Sequence, residues 1–535
     1  MLIILMGGDQ GNQGRTHMFA VAAAHEKAME AGLRVMEGGG DACDAAVAVS
    51  LALGVVEPFY SGLGGGGVAL VWREEEKKAR FVDFSNECPV GMEPGIFECD
   101  ESGEHIGHAH SRGHRSILIP GLLRGLEAIH REFGRRPWGE LFASAIRLAD
   151  EGFKVGWFYR LQQEEPRFQE LCAAYPELGR IHMVSGEPLA EGALLRQPDS
   201  ARTLREIAEK GADAFYEGAL AKAILDEIRS GGGYLGGSDL KNYRVRWMTP
   251  LASHYRNLCF LTAPPPSSGL ILIQILNFLE VLLPEWDAAD ESARGLALAR
   301  AMRAAFRDRF SVYGDPYHFD MPVERLLSKE YAAAAIDEER ASGVFLHDME
   351  PGSTTHFTIV DAQGNVVCHT QTLGMNWGSG VSPQGTGILL NNHTNWMDPR
   401  PGRGNSLGAG KRPMAGYAPT LVFEEEKFRL GVGSPGSYRI PTAVTQVILN
   451  LFYRNMTLQE AVEAPRMHLD IGPLHAEDAV DGAVLDAARQ SGFEVSRYAY
   501  PHHFFGGVHA VEVSDGGCLT AFGDPRRAGN AETRE

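Results

Sequence analysis

Thr354 is the residue of this chain best placed for covalent chemistry. It follows the breaker-containing stretch Glu350-Pro351-Gly352-Ser353 and opens the run Thr355-His356-Phe357-Thr358-Ile359-Val360, rich in β-branched and aromatic residues. That is the pattern of a strand leaving a loop. A threonine hydroxyl is a weak nucleophile at its own pKa and needs a neighbouring base. Cleavage of the Ser353–Thr354 bond would supply one, because a freed α-amine titrates at roughly pH 8. The chemistry open to such a residue is attack on an amide carbonyl, giving a threonyl ester. Taken alone, the fragment is also compatible with an ordinary strand start.

The element that must hold Thr354 is a hairpin. Asp361-Ala362-Gln363-Gly364-Asn365 supplies a turn, and Val366-Val367-Cys368-His369-Thr370-Gln371-Thr372 reads as the partner strand. Around it the pattern is mixed α and β. A helix is predicted over 19–36, stopped by Gly38-Gly39-Gly40, and a second over 42–53 capped by Asp41. The second is apolar nearly all round and so should be buried. Further helices are expected over 120–133, 138–151, 201–210, 219–230, 270–283 and 290–312, with a strand over 68–72. Residues 160–235 read as a solvated helical layer, 1–17 as irregular, and 320–352 as polar and acidic. No repeat or linker separates independent domains.

Composition narrows the function. The net charge of −19 over 535 residues gives no general affinity for nucleic acid or anionic membrane. No apolar run is long enough to span a bilayer. The seven cysteines include no C-x-x-C pair, which argues against a disulfide scaffold or a cysteine zinc site. His105, His108, His110 and His114 lie close together, but in a Gly- and Ser-rich stretch that reads as a polar surface loop. Gly62-x-Gly64-x-x-Gly67 precedes an apparent strand rather than a helix, so it reads as a tight turn rather than a dinucleotide site. No metal and no organic cofactor is expected. The short apolar start, 1–6, lacks a basic region, and a cytoplasmic location is expected.

Thr354 to Asp361 resembles the start of the small subunit in the gamma-glutamyltransferase (gamma-glutamyl transpeptidase) family of N-terminal-nucleophile hydrolases. Other blocks agree in order and spacing. They are Gly54-Val55-Val56-Glu57-Pro58, Ser61-Gly62-Leu63-Gly64-Gly65-Gly66-Gly67, Pro264-Pro265-Pro266-Ser267-Ser268-Gly269, Gly387-Ile388-Leu389-Leu390-Asn391-Asn392, Lys411-Arg412-Pro413, Gly433-Ser434-Pro435-Gly436, Ala464-Pro465-Arg466 and Gly523-Asp524-Pro525-Arg526-Arg527. The resemblance implies an α/β (α+β) fold, a four-layer αββα sandwich. It implies self-cleavage at Ser353–Thr354 into a large-subunit segment, 1–353, and a small-subunit segment, 354–535, both parts of one intertwined domain. The two products would form a heterodimer, open to higher assembly. Thr354 would be the nucleophile, Thr372 its hydrogen-bonding partner, and Gly436 with Ser437 the oxyanion donors.

The departures fall on substrate binding. The family holds a glutamyl α-carboxylate with an arginine and hydroxyls, and the α-amine with an asparagine, a glutamine and an aspartate. The matching positions here are Ser85, Ala415, Gly416, Gly374, His393 and Trp396. A serine hydroxyl does not replace a bidentate arginine. Trp377, Trp396 and Tyr417 suggest a more apolar pocket instead. The first expectation is therefore a self-processing amidohydrolase or acyltransferase acting on a small or N-acyl amide, resembling cephalosporin (glutaryl) acylases or oxamate amidohydrolase. The alternative is a true gamma-glutamyl hydrolase or transferase that holds the glutamyl end with Arg80, Arg400 or Arg439. A third reading is an unprocessed binding protein that kept the fold.

Overall fold

A computed structural model describes residues 18–100, 105–336 and 353–535. The expected irregular start, 1–17, and residues 337–352 of the polar stretch before the proposed cut lie outside the described residues.

Two antiparallel sheets form the centre. The first contains β1 (Phe19–Ala23), β2 (Gly66–Arg73), β3 (Lys78–Phe84), β4 (Arg246–Met248), β7 (Thr355–Val360), β8 (Val366–Thr372) and β13 (Asn530–Arg534). The second contains β5 (Leu251–Tyr255), β6 (Leu258–Thr262), β9 (Thr420–Glu424), β10 (Lys427–Gly433), β11 (His509–Val513) and β12 (Leu519–Gly523). The orders are β13-β1-β7-β8-β2-β3-β4 and β12-β11-β10-β9-β6-β5. Both sheets contain strands from before and after the proposed cut: β1 lies between β13 and β7 in the first, and β6 pairs with β9 in the second, so neither segment supplies a whole sheet.

The side-chain period of two sorts residues into layers. Ala20, Ala22, Val68, Leu70, Trp72, Val366 and Cys368 face the second sheet and pack with Leu421, Phe423 and Val511. Their neighbours Val21, Ala23, Ala69, Val71, Phe357 and Ile359 face outward onto helices. These helices include α1 (Glu26–Glu37), α2 (Ala42–Val56) and α3 (Leu122–Phe133). On the far side, α4 (Gly269–Leu282), α5 (Glu291–Val312) and α6 (Arg439–Tyr453) cover the second sheet through Phe260, Val422, Leu430 and Val432. The result is the expected αββα sandwich.

The segment 19–36 departs from expectation. It is a strand followed by a helix, not one helix. Phe19–Ala23 is buried along its length and bonded on both edges, to β7 and β13. A short apolar run without clear alternation fits strand or helix, and pairing decided it. Asp41 does cap α2, accepting from the N–H groups of Cys43 and Asp44. Burial of that helix, at about 1.5–3 kcal/mol for each large apolar side chain, fixes it across the back of β7 and β8. The helices within 160–235 are more deeply seated than a solvated layer: Phe168, Leu171, Leu204, Ile207 and Ile224 join the α2 core.

Candidate active site

The hairpin positions Thr354, the nucleophile expected from sequence. Thr355 pairs with Gln371 and His356 with Thr370, so the register extended by one residue puts Thr354 opposite Thr372. Alternation places Thr354, His356 and Thr358 on the face toward the second sheet, with Thr370 and Thr372 beside them. The His356 imidazole confirms the direction. It bonds the hydroxyls of Thr370 at 2.8 Å and Thr358 at 3.1 Å. A Cβ on Gly433 would lie 2.2 Å from its ring. Burial holds His356 neutral, well below the ordinary histidine range.

Thr354 itself is strained and unsatisfied. Its φ is 155°, a conformation that L-residues rarely hold, at a cost of about 1–3 kcal/mol. Its hydroxyl is buried without a hydrogen-bond partner. The Ser353 hydroxyl donates to the Gly374 carbonyl. The Thr372 hydroxyl oxygen accepts from Gly374 N–H at 2.9 Å, and its own proton has only a long contact, 3.5 Å, to the Gly374 carbonyl. That proton is available to a partner across the hairpin.

One residue on, Thr355 points the other way. Its hydroxyl donates to the Glu57 carboxylate at 2.8 Å. Glu57 ends α2 and is 2% exposed. Burial pushes its carboxyl up to about 7, against the opposing influence of Thr355 and Arg527. Glu57 was not singled out from sequence as a site residue. The available signal was an acidic residue closing an otherwise apolar helix.

The oxyanion turn leaves the end of β10. Gly436 has φ 132° and Ser437 φ 54°, so both hold positive φ, one as glycine and one as serine. Their N–H groups have no acceptor among the described residues. The turn is braced by Ser434, whose hydroxyl donates to Pro435 O at 2.7 Å and accepts from Gly507 N–H at 3.2 Å. Backbone N–H groups held without a competing partner fit the oxyanion role expected of them from sequence.

The recognition side is built differently. Ser85 is buried, with its N–H on Asp83 and its hydroxyl at 3.5 Å from Gly67 O. At Gly374, φ is 107° and a Cβ would lie 2.2 Å from Asn392 Oδ1. The asparagine of the family pattern therefore has no room here. His393 is fully buried, its ring nitrogens lack partners, and burial takes it down to about 3. It stacks on Trp396 at 4.3 Å, and Trp396 meets Tyr417 edge-on at 6.0 Å. Trp396, Ala415 and Tyr417 belong to the core between the sheets. A Cβ on Gly416 would lie 2.1 Å from Ser437 O, so this wall abuts the oxyanion turn.

Several sequence blocks turn out to be scaffolding for these walls. Ser268 donates to Ala415 O at 2.7 Å and is itself held by Arg309 at 2.6 Å. Asn391 ties Gly64 O to Leu118 O. A Cβ on Gly65 would lie 2.3 Å from Thr372 O, so the glycine run serves close backbone packing. Trp377 is not a pocket residue. It is fully buried among Phe59, Tyr159 and Phe168, with its N–H on Gln162 O. Arg80 pairs with Glu76 and Glu132, and Arg400 with Asp398.

The gamma-glutamyltranspeptidase family model matches residues 28–533. The chain belongs to that family. Its members share the N-terminal-nucleophile architecture and act on amides as hydrolases or transferases. The chain is 36% identical to a glutathione hydrolase proenzyme of Pseudomonas sp. (strain A14) over 84% of its length and 81% of the relative's. It is also 36% identical to an acylase ACY 1 proenzyme of Pseudomonas sp. (strain SE83), over 94% and 90%. The fold superposes on a solved cephalosporin acylase from Bacillus halodurans with a TM-score of 0.83 and 24% identity, covering 99% of each chain. Equal identity to a hydrolase and an acylase leaves the substrate to the pocket.

Proposed function

We propose that this family member cleaves itself between Ser353 and Thr354 and then uses Thr354 to cleave a small or N-acyl amide that lacks the standard glutamyl contacts. The observation that carries the reading is Thr354: a strained backbone and a partnerless buried hydroxyl at the proposed scissile bond, opposite Thr372. In the first reaction, the Thr354 hydroxyl adds to the Ser353 carbonyl carbon. The C–N bond breaks, and the hydroxyl proton ends on the departing amine. Water then hydrolyses the ester, leaving a Ser353 carboxylate and a free Thr354 α-amine. In turnover, that amine takes the hydroxyl proton, Gly436 and Ser437 N–H groups face the developing oxyanion, and water or an amine accepts the acyl group.

A non-standard substrate is supported by the recognition wall. Trp396 and His393 present aromatic surface where charge would be needed to hold an α-ammonium, and Gly374 cannot be swapped for asparagine without moving Asn392. The two segments, 1–353 and 354–535, would remain associated as a heterodimer, since each sheet is built from strands of both. Intact mass under denaturing conditions tests the processing. Two chains meeting at Ser353/Thr354 in the unmutated protein, and one chain in Thr354→Ala, are expected. A single chain in both sinks the mechanism. Turnover of glutathione in preference to plain N-acyl amides would overturn the substrate reading alone.

A further inference from the structure

His356 stands two residues beyond Thr354 on the same face of β7, about 7 Å along the strand. It is fully buried in the layer between the sheets, among apolar neighbours such as Leu70, Val366, Leu421 and Val511. A polar ring in that setting needs partners for both nitrogens. Nδ1 meets the Thr370 hydroxyl of β8 at 2.8 Å, and Nε2 meets the Thr358 hydroxyl of β7 at 3.1 Å. Thr358 gives its own proton to His509 O of β11 at 3.1 Å. Its oxygen therefore accepts from Nε2–H, and Nδ1 accepts from the Thr370 hydroxyl. One neutral tautomer satisfies both ring nitrogens and both hydroxyls, and the thread of bonds runs from the first sheet into the second.

The same ring touches the strand that feeds the 434–437 turn. A Cβ on Gly433, the last residue of β10, would lie 2.2, 2.5 and 2.6 Å from Cε1, Nε2 and Nδ1 of His356. No side chain fits there, so the β10 backbone rests directly on the imidazole. Three residues on stands Gly436. A Cβ on it would lie 3.1 Å from Gly506 Cα, and Gly507 N–H donates to the Ser434 hydroxyl oxygen at 3.2 Å. The turn is thus backed by backbone at 506–507, while the strand leading into it is set by His356. Backbone, rather than a flexible side chain, receives any change in the spacing of β7 and β10.

We propose that His356 is a positioning residue for acyl transfer: pinned between the Thr358 and Thr370 hydroxyls and seated against Gly433, its imidazole sets the spacing between the Thr354 hydroxyl and the N–H groups of Gly436 and Ser437. This rests on Thr354 as nucleophile. Imidazole suits the task because it is flat and rigid and offers one donor and one acceptor at fixed angles. Phenylalanine would fill the space and leave both hydroxyls without their ring partner. Glutamine would reach one hydroxyl through a flexible chain. The ring gives no proton to the reaction. Burial, with His509 and His369 nearby, holds it neutral, well below the ordinary histidine range, and both nitrogens are already engaged. Misplacing reacting groups by about 1 Å costs on the order of 100-fold in rate, so a rigid spacer at this point acts on the chemistry itself.

The test is labelling of the processed protein by phenylmethylsulfonyl fluoride, followed as a mass gain at Thr354 on the 354–535 chain. The threonine oxygen bonds to sulfur, fluoride leaves, and the hydroxyl proton goes to the Thr354 amine. The maximal rate constant should fall about 10- to 100-fold in His356→Phe, and comparably in Gly433→Ala, which alters the other side of the contact. In Thr370→Val it should fall about 3- to 10-fold, and Thr370→Ser should restore it. The probe concentration giving half-maximal rate should not move, nor should the midpoint of the pH dependence. The final labelled fraction counts folded molecules, so a variant that only loses stability lowers that fraction and keeps the rate constant. If His356→Phe is not processed, the Thr370 pair carries the same comparison. Unmutated rate constants in His356→Phe and Thr370→Val overturn the inference. A moved pH midpoint also overturns it, because His356 would then be the base. No labelling of the unmutated protein at Thr354 removes the nucleophile reading instead, and the inference falls with it.

Discussion

Thr354, Thr372, Gly436 and Ser437 form one side of the site; Ser85, Gly374, His393, Trp396 and the segment 415–417 form the other. The first side is made largely of backbone: a strand register, an outlying φ at Thr354, and N–H groups in a positive-φ turn. The second rests on side chains, of which Trp396, Ala415 and Tyr417 pack into the core between the sheets. A backbone conformation survives replacement of one side chain, as Ser437 shows by holding a left-handed conformation where glycine is the usual choice. Specificity built from side chains changes with each replacement, and the neighbours then repack around the new shape. At Gly374 the repacking has gone far enough that reversal meets Asn392.

This contrast can be broken or sharpened experimentally. The largest effect is expected for Thr354→Ala: loss of chain cleavage by mass, and of amide turnover by about 10⁴-fold or more. Retention of either would remove the chemistry from this side of the site. Thr372→Val keeps the shape but removes the hydroxyl. Cleavage and turnover should slow by about 10-fold or more, seen in the rate of precursor loss, with little change in melting temperature. Gly374→Asn, a return to the family pattern, should lower stability by about 2–4 kcal/mol through strain and overpacking, read by denaturant unfolding. A stable variant with gained gamma-glutamyl activity would show that the recognition wall had not repacked. The last effect, read as a slope against pH, concerns Glu57, which braces Thr355. Its folded carboxyl holds a proton up to about 7, above its unfolded value of 4.5. The folded state therefore binds the extra proton between those values, and stability falls as pH rises through that window. Glu57→Gln should remove up to about 3 kcal/mol of that decline, visible as a flatter melting temperature from pH 4.5 to 7. An equal slope in both proteins would place Glu57 outside the titration.

Local pattern made much of this legible. The hairpin that presents Thr354 shows the period of two, α2 shows an Asp41 cap and an apolar surface all round, and the ordered blocks identify the family. Elements whose pattern was ambiguous were misread. Phe19–Ala23 is apolar and short, and only its two strand partners separate it from helix. Trp377 and Trp396 are the same residue type near the same hairpin, yet one fills the helix-side core and the other lines the inter-sheet wall. Nothing in their local sequence distinguishes them.

The sequence by itself determined the hairpin that opens at Thr354 and the residues at the positions expected to hold a glutamyl group, because each depends on residue type at short spacing. Tertiary structure decided which of three arginines keeps its terminal nitrogens without a hydrogen-bond acceptor. Arg80, Arg400 and Arg439 are equivalent in sequence, and the first two find carboxylates at the surface or in a nearby turn. Arg439 is buried at the start of α6 beside a second guanidinium, where long-range packing brings no acceptor to its terminal nitrogens. Hydrogen-bond satisfaction of a buried group depends on every element packed around it, and no local stretch of sequence contains that information.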